Sequence, residues 1–530
     1  MTVEYGLPTP YSRNISIAAL LVCASIMLFA VSFSGMLLNH DCALLLQCGR
    51  LISEGSIPYV DHVEISLHMA QYIHVPPVLL SNMLGMDVSL VFAVGVLVLT
   101  FYSCFVVLLL VRRSGLFRTW TGAVLIASSV LILSLKAFSN GDFGQREYLF
   151  VLAWLPFLLV RYSRTQDTRV SVSLALVTGS LAGIMMLCKP SFLAQVVLVE
   201  VWMGFRMRGK MTYRTPEMIA VYSVVLVLTV HLFLLPGGLQ SPFFTRWIPF
   251  ITAGYHSYNA SIFEMVRGNL YFWPLYLGSA ILSVLVMFRS KKAVRHLLEL
   301  LLAASVLAVG LFFLQHKGWL YQLFPAFGLV AVLVAVSIAA LYERYGSRGI
   351  AGKSINIALL LSPVAACLIL TGNSFQYADT MYSNMDEFLK VIDVYSDPDE
   401  RISFISTCVY PKYPTLVYAD RLPGTRFMLA FPIALIYANA APSDSSGFQY
   451  RSPSDMTDEE IQFLAELGMD IRTNRPALVF IDTEVTCQGC PTGFRIDEYL
   501  ISSGWLGEYM SDYELLFTRN GFRTYILMEG

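Results

Sequence analysis

Long apolar runs recur along the chain, many near the roughly 20 residues that a helix needs to cross a bilayer. They are Ile15–Leu38, Val75–Val111, Trp120–Phe138, Tyr148–Val160, Val170–Leu187, Phe192–Phe205, Met218–Leu235, Phe272–Phe288, Leu297–Leu314, Leu320–Leu341 and Ile355–Thr371. This pattern predicts about eleven crossings. From Gly372 the pattern changes to that of a folded domain outside the bilayer. Met381–Val394 has helical periodicity, and "RISFIST" and "PALVFID" read as buried strands. In "TDEEIQFLAELG", Thr457 and Glu460 form a capping box and Gly468 ends the helix. "YELLFTRNGFRTYILM" sets Asn520-Gly521 between two strand-like runs, a strong hairpin signal. The fold class is an α-helical polytopic membrane protein, residues 1–371, followed by an α/β domain, residues 372–530.

Between the first two crossings lies a long loop, residues 39–75. Asp41–Ser53 predicts an amphipathic helix lying along the membrane surface. Leu44, Leu45, Cys48, Leu51 and Ile52 form its apolar face, Gln47, Arg50 and Glu54 lie off it, and Gly55 is the stop. "SLHMAQYIHV" predicts a second surface helix before Pro76-Pro77.

Composition supports the membrane reading. The 530 residues are 56% hydrophobic and only 14% charged, and the mean hydropathy is +0.61; soluble domains carry about 25% charge. The net charge of -1 is uninformative, but its distribution is not. Basic residues gather on alternate connections: Arg13; Arg112, Arg113 and Arg118; Arg161, Arg164 and Arg169; Arg206, Arg208, Lys210 and Arg214; Arg289, Lys291, Lys292 and Arg295; Arg344, Arg348 and Lys353. The positive-inside rule makes these cytoplasmic and the loop at Asn39 outward. An odd number of crossings then leaves the C-terminal domain outside. The expected location is a bacterial inner membrane, with the N-terminus cytoplasmic and the first crossing retained. Nine cysteines are too few for a disulfide scaffold; Cys487 and Cys490 in "VTCQGC" are read as a structural disulfide of the outward domain.

Ionisable residues mark the outward helix ends: Asp41, Asp61 and Glu64; Asp142, Arg146 and Glu147 in "GDFGQREY"; Lys189 in "LCKPSF"; Lys317 in "QHKGW". Taken singly, each reads as an interfacial anchor. As a set they suggest transfer chemistry on an anionic, lipid-linked substrate. Isolated cations hold a phosphate leaving group, and a carboxylate takes the proton of an attacking hydroxyl. Such a leaving group needs no general acid, unlike glycoside hydrolysis.

These residues carry a resemblance. An acid directly after the first crossing, the Gly-x-x-Pro-Tyr-x-Asp of "LISEGSIPYVDHVE", a Pro-led second crossing and a late "QHKGWLYQLFP" resemble the GT-C superfamily of polytopic glycosyltransferases. The lipid A aminoarabinose transferases, protein O-mannosyltransferases and mycobacterial arabinofuranosyltransferases are among its members. The resemblance covers roughly the membrane half. It implies an inverting transferase that moves a sugar from a polyprenyl phosphate to a hydroxyl of an extracytoplasmic glycan, lipid or protein. It places the catalytic base on Asp41, a second acid on Asp61 or Glu64, and the phosphate-holding cations on Arg146, Lys189 and Lys317. Tyr59, Glu147, His316 and Tyr321 in the matching stretches are then substrate-binding. Many members carry two adjacent acids where this chain has His40-Asp41, so His40 is a further candidate.

Half of the eight histidines lie in or beside this loop, His40, His62, His68 and His74. Six-residue steps turn a helix by about 240° each, so His62, His68 and His74 share no face and are read as structural or substrate-contacting, not as metal ligands. No cofactor is required, although a divalent cation bridging carboxylate and phosphate is compatible with the chemistry. The loop Gly237–Leu270, rich in aromatic residues around Arg246 and Arg267, reads as an interfacial belt or as a lid. A flippase would place ionisable residues deep in its crossings and show internal repeats; apart from His231 the long apolar runs carry little charge at their centres, and the sequence shows no repeat. A polymerase or ligase would need a larger late outward loop than "QHKGW".

Overall fold

The computed structural model describes residues 10–33, 38–206, 213–346, 349–398, 400–440, 448–484 and 489–528. Each of the apolar runs contains helix. Among the described residues, 7 helices are long and apolar enough to cross a membrane: Arg13–Phe33, Val88–Arg113, Trp120–Ser139, Pro216–Leu234, Lys292–Gln315, Leu320–Gly346 and Gly352–Asn373. Others are shorter, such as Val172–Met186 and Phe272–Met287. The run Val75–Val111 is not one continuous helix: the short helix Val75–Leu84 precedes the candidate crossing Val88–Arg113. Gly85, at φ +62, and Asp87, whose side chain caps Ser89, break it.

The chain divides into two compact units, residues 1–38, 84–230 and 260–379 in one, and 39–83, 231–259 and 380–530 in the other. In the first, the helix Arg146–Thr165 is buried almost throughout. Its Phe150 stacks on Phe192 at 4.4 Å, and Val151 leaves room only for Gly328 on the helix Phe324–Leu341. Arg161 and Arg164 belong to this helix, not to a connection. Arg161, 0% exposed, pairs with both Glu200 oxygens at 2.9 Å and lies 3.5 Å from Glu217, which Arg164 also meets. A guanidinium removed from water persists only when paired in this way.

The second unit holds a five-stranded sheet. The strands are β1 (Arg401–Ile405), β2 (Leu422–Pro423), β3 (Leu478–Asp482), β4 (Tyr513–Arg519) and β5 (Phe522–Leu527), in the order β2-β1-β3-β5-β4. β1 runs parallel to β2 and β3, and β5 is antiparallel to β3 and β4. Phe404 and Phe480 stack at 4.3 Å across the central pair. Asn520 and Gly521, at φ 53 and 77, make the expected hairpin turn.

Three expectations change here. The helix predicted to stop at Gly468 runs Asp458–Asn474. Gly468 is a packing position, since a Cβ there would meet the Tyr509 ring at 2.4 Å. The helix His40–Ser53 is not simply a surface helix with a free polar face: it packs on the helix Lys412–Tyr418, and Gln47, 2% exposed, donates to the Arg421 carbonyl at 2.8 Å. The predicted second surface helix shrinks to His68–Tyr72, with His68, Ala70 and Gln71 buried.

Candidate functional site

The acidic first-loop residues lie in the unit that contains the sheet. Asn39 caps the helix His40–Ser53, so Asp41 falls in its first turn, where the positive end of the helix dipole favours a carboxylate. The Asp41 side chain is 14% exposed and His40 Nε2 lies 3.8 Å from its Oδ1, too far for a hydrogen bond. Asp61 is exposed and accepts the Ile57 N–H at 2.7 Å, closing the turn around Pro58. Glu64 is 3% exposed and accepts the Ser66 N–H. The loop is tied to the sheet domain through Val63, whose N–H donates to the Arg426 carbonyl at 2.8 Å and whose carbonyl accepts the Met428 N–H at 3.0 Å.

Tyr59 adopts a left-handed φ of 66, is buried, and donates its hydroxyl to the Ser66 carbonyl; its ring packs on His68 and Phe243. His62 bonds Ser56 Oγ at 2.7 Å and Gln71 Oε1 at 2.9 Å. Burial and the neighbouring His231 and His62 hold His68 neutral, its pKa lowered to about 4. Among the described residues no three His, Cys, Asp or Glu side chains converge on a metal position. The segment after Gly237 is folded into short helices, with Phe243 and Trp247 buried, Arg246 paired with Glu466 at 2.7 and 3.0 Å, and Trp247 Nε1 donating to the Tyr59 carbonyl.

The cationic residues lie in the other unit. Arg146 and Glu147 open the helix Arg146–Thr165, and Lys189 immediately precedes the helix Pro190–Arg206. Lys189 Nζ donates to Glu147 Oε1 at 2.7 Å and lies 6.0 Å from the Tyr321 ring. Lys317 is 7% exposed; burial, and then the charge of Lys189, lower its pKa to about 8. Four predicted positions from three separate stretches, Glu147, Lys189, Lys317 and Tyr321, thus gather in one place. Two ammonium groups set near each other in partly desolvated surroundings favour an anion between them. His316, at φ 53, ends the helix Lys292–Gln315, and its carbonyl accepts the Ala260 N–H at 2.6 Å.

Lys136 escaped the sequence reading because it lies inside an apolar run. It donates to Asn140 at 3.0 Å and lies over the Tyr271 ring at 5.3 Å, near Asp142. Its position at the last turn of Trp120–Ser139 was the available signal. Cys487 lies outside the described residues, and with it the predicted disulfide to Cys490.

No family model and no curated relative matches the chain. Among solved structures, ArnT from Cupriavidus metallidurans bound to undecaprenyl phosphate is similar over 98% of both chains, at a TM-score of 0.57 and 12% identity. Its apo state gives 0.54 over the same 98% of each chain, again at 12% identity. The fold is GT-C. The arabinofuranosyltransferase AftD from Mycobacteria scores 0.49 at 13% identity, over 98% of this chain and 40% of its own. The ArnT match extends over the residues of the helices and of the sheet domain alike.

Proposed function

We propose that this protein is an inverting glycosyltransferase that moves a sugar from a polyprenyl-phosphate donor to a hydroxyl of an extracytoplasmic glycan, lipid or protein. The observation that carries the proposal is the end-to-end likeness to a structure holding undecaprenyl phosphate. The cluster of Lys189 and Lys317 beside Glu147 and Tyr321 supports it.

In this reading the acceptor oxygen attacks the anomeric carbon while its proton passes to the Asp41 carboxylate. The bond from carbon to phosphate oxygen breaks on the opposite face, and the electron pair leaves on the polyprenyl phosphate. Lys189, Lys317 and Arg146 stabilise that developing charge. Because a phosphate is a weak base, no acid or cofactor is needed for departure. The positive-inside pattern supports an inner-membrane protein with its sheet domain extracytoplasmic.

The test uses full-length protein in detergent and lipid extract from cells fed a radiolabelled sugar, with label followed from lipid to acceptor. Asp41→Asn is expected to abolish transfer while undecaprenyl phosphate still binds. Full activity in that variant rejects Asp41 as base, and no lipid-to-acceptor transfer by the native protein rejects the proposal.

A further inference from the structure

Asn39 precedes the proposed base by two residues, at the position before a helix where asparagine is favoured. The residue is 5% exposed. With φ -57 and ψ 141 it has left the helical region, and its Oδ1 accepts the N–H of Asp41 at 2.8 Å and of Cys42 at 3.4 Å. Its carbonyl accepts the Ala43 N–H at 2.9 Å, the first bond of the helix. One side chain therefore holds the backbone of Asp41 itself. The rest of the helix is clamped, since residues 42–49 are all buried, which leaves the first turn as the part that a cap must secure. His40 is too far from the carboxylate to do so, at 3.8 Å.

We infer that Asn39 is the positioning residue of the reaction: by capping the His40–Ser53 helix it fixes the direction in which the Asp41 carboxylate points. This rests on the reading of Asp41 as the base. The choice of asparagine has a chemical reason. Asp, Ser and Asn all cap well, but an aspartate at 39 adds a negative charge beside Asp41. Asparagine offers the acceptor oxygen without the charge. Loss of the cap frays the first turn, and misplacement of a reacting group by 1 Å costs on the order of 100-fold in rate.

The experiment measures transfer by full-length protein in detergent, using the labelled lipid extract dosed by its lipid-phosphate content. Asn39→Ala is expected to lower kcat roughly 10- to 100-fold with KM for the lipid donor nearly unchanged. Asn39→Ser is expected to recover most of that loss. A purely structural role predicts instead that Asn39→Ala lowers the amount of folded protein at unchanged kcat, and that result overturns the inference. So does an Asn39→Ser variant that stays as slow as Asn39→Ala. Asp41→Asn run alongside separates the two levels. If it is active, the assignment of the base fails; if it is inactive while Asn39→Ala is fully active, only the positioning role fails.

Discussion

Lys412 lies inside the sheet-containing unit, 1% exposed, with its Nζ donating to the Phe404 carbonyl at 3.0 Å. Burial lowers its pKa to about 7, against about 10.4 in an unfolded chain. Between these values the unfolded state binds more protons, so stability rises with pH across that window and stays at its lower level below about pH 7. Lys412→Met is therefore expected to raise the thermal midpoint in detergent, most below pH 7, and to flatten its rise from pH 7 to 10. Tryptophan fluorescence during heating checks this; equal midpoints for both proteins at pH 6 reject it. In the sequence, "YPKYPTLVYADRLPGTRF" reads as a loop-rich stretch that either faces the acceptor or is ordinary turn chemistry from its prolines. That its lysine is enclosed depends on packing by β1 and by the helix His40–Ser53, which periodicity does not encode.

At the scale of elements, the C-terminal hairpin and the helix at Asp41 were legible because their signals are local. Asn520-Gly521 supplies two positive φ angles, and Gly55 at φ 98 follows the end of the first-loop helix. The capping box is half present. Thr457 accepts the Glu460 N–H at 3.3 Å, but the Glu460 carboxylate is buried and takes the hydroxyls of Tyr437 and Tyr499 and the guanidinium of Arg451. Gly468 shows the same limit, since a glycine reads as a stop from sequence whether it ends a helix or admits a neighbouring ring. Gly468→Ala is expected to destabilise this unit by about 1–3 kcal/mol through overpacking against Tyr509. Urea unfolding checks it, and the loss should largely disappear in a Tyr509→Ser background; a neutral Gly468→Ala rejects the packing role.

At the scale of the whole molecule, hydropathy and charge lead to a topology that can be measured. A cysteine introduced at the exposed Ser454, in the turn Pro453–Asp455, is expected to react with a membrane-impermeant maleimide applied from outside, above the wild-type background. Protection until the membrane is lysed places the domain in the cytoplasm. By itself the sequence determined the helical membrane architecture, the α/β character of the C-terminal part and the chemical types at the helix ends. Hydropathy, periodicity and turn preference are sums over neighbouring residues and need no partner. Only the tertiary structure decided that residues 39–83 and 231–259 fold with 380–530, and that Glu147 meets Lys189 across 42 positions. It also decided that Arg161 is paired with Glu200 inside the bundle. Burial and ion pairing depend on which surfaces meet, and that is settled by the packing of the folded chain.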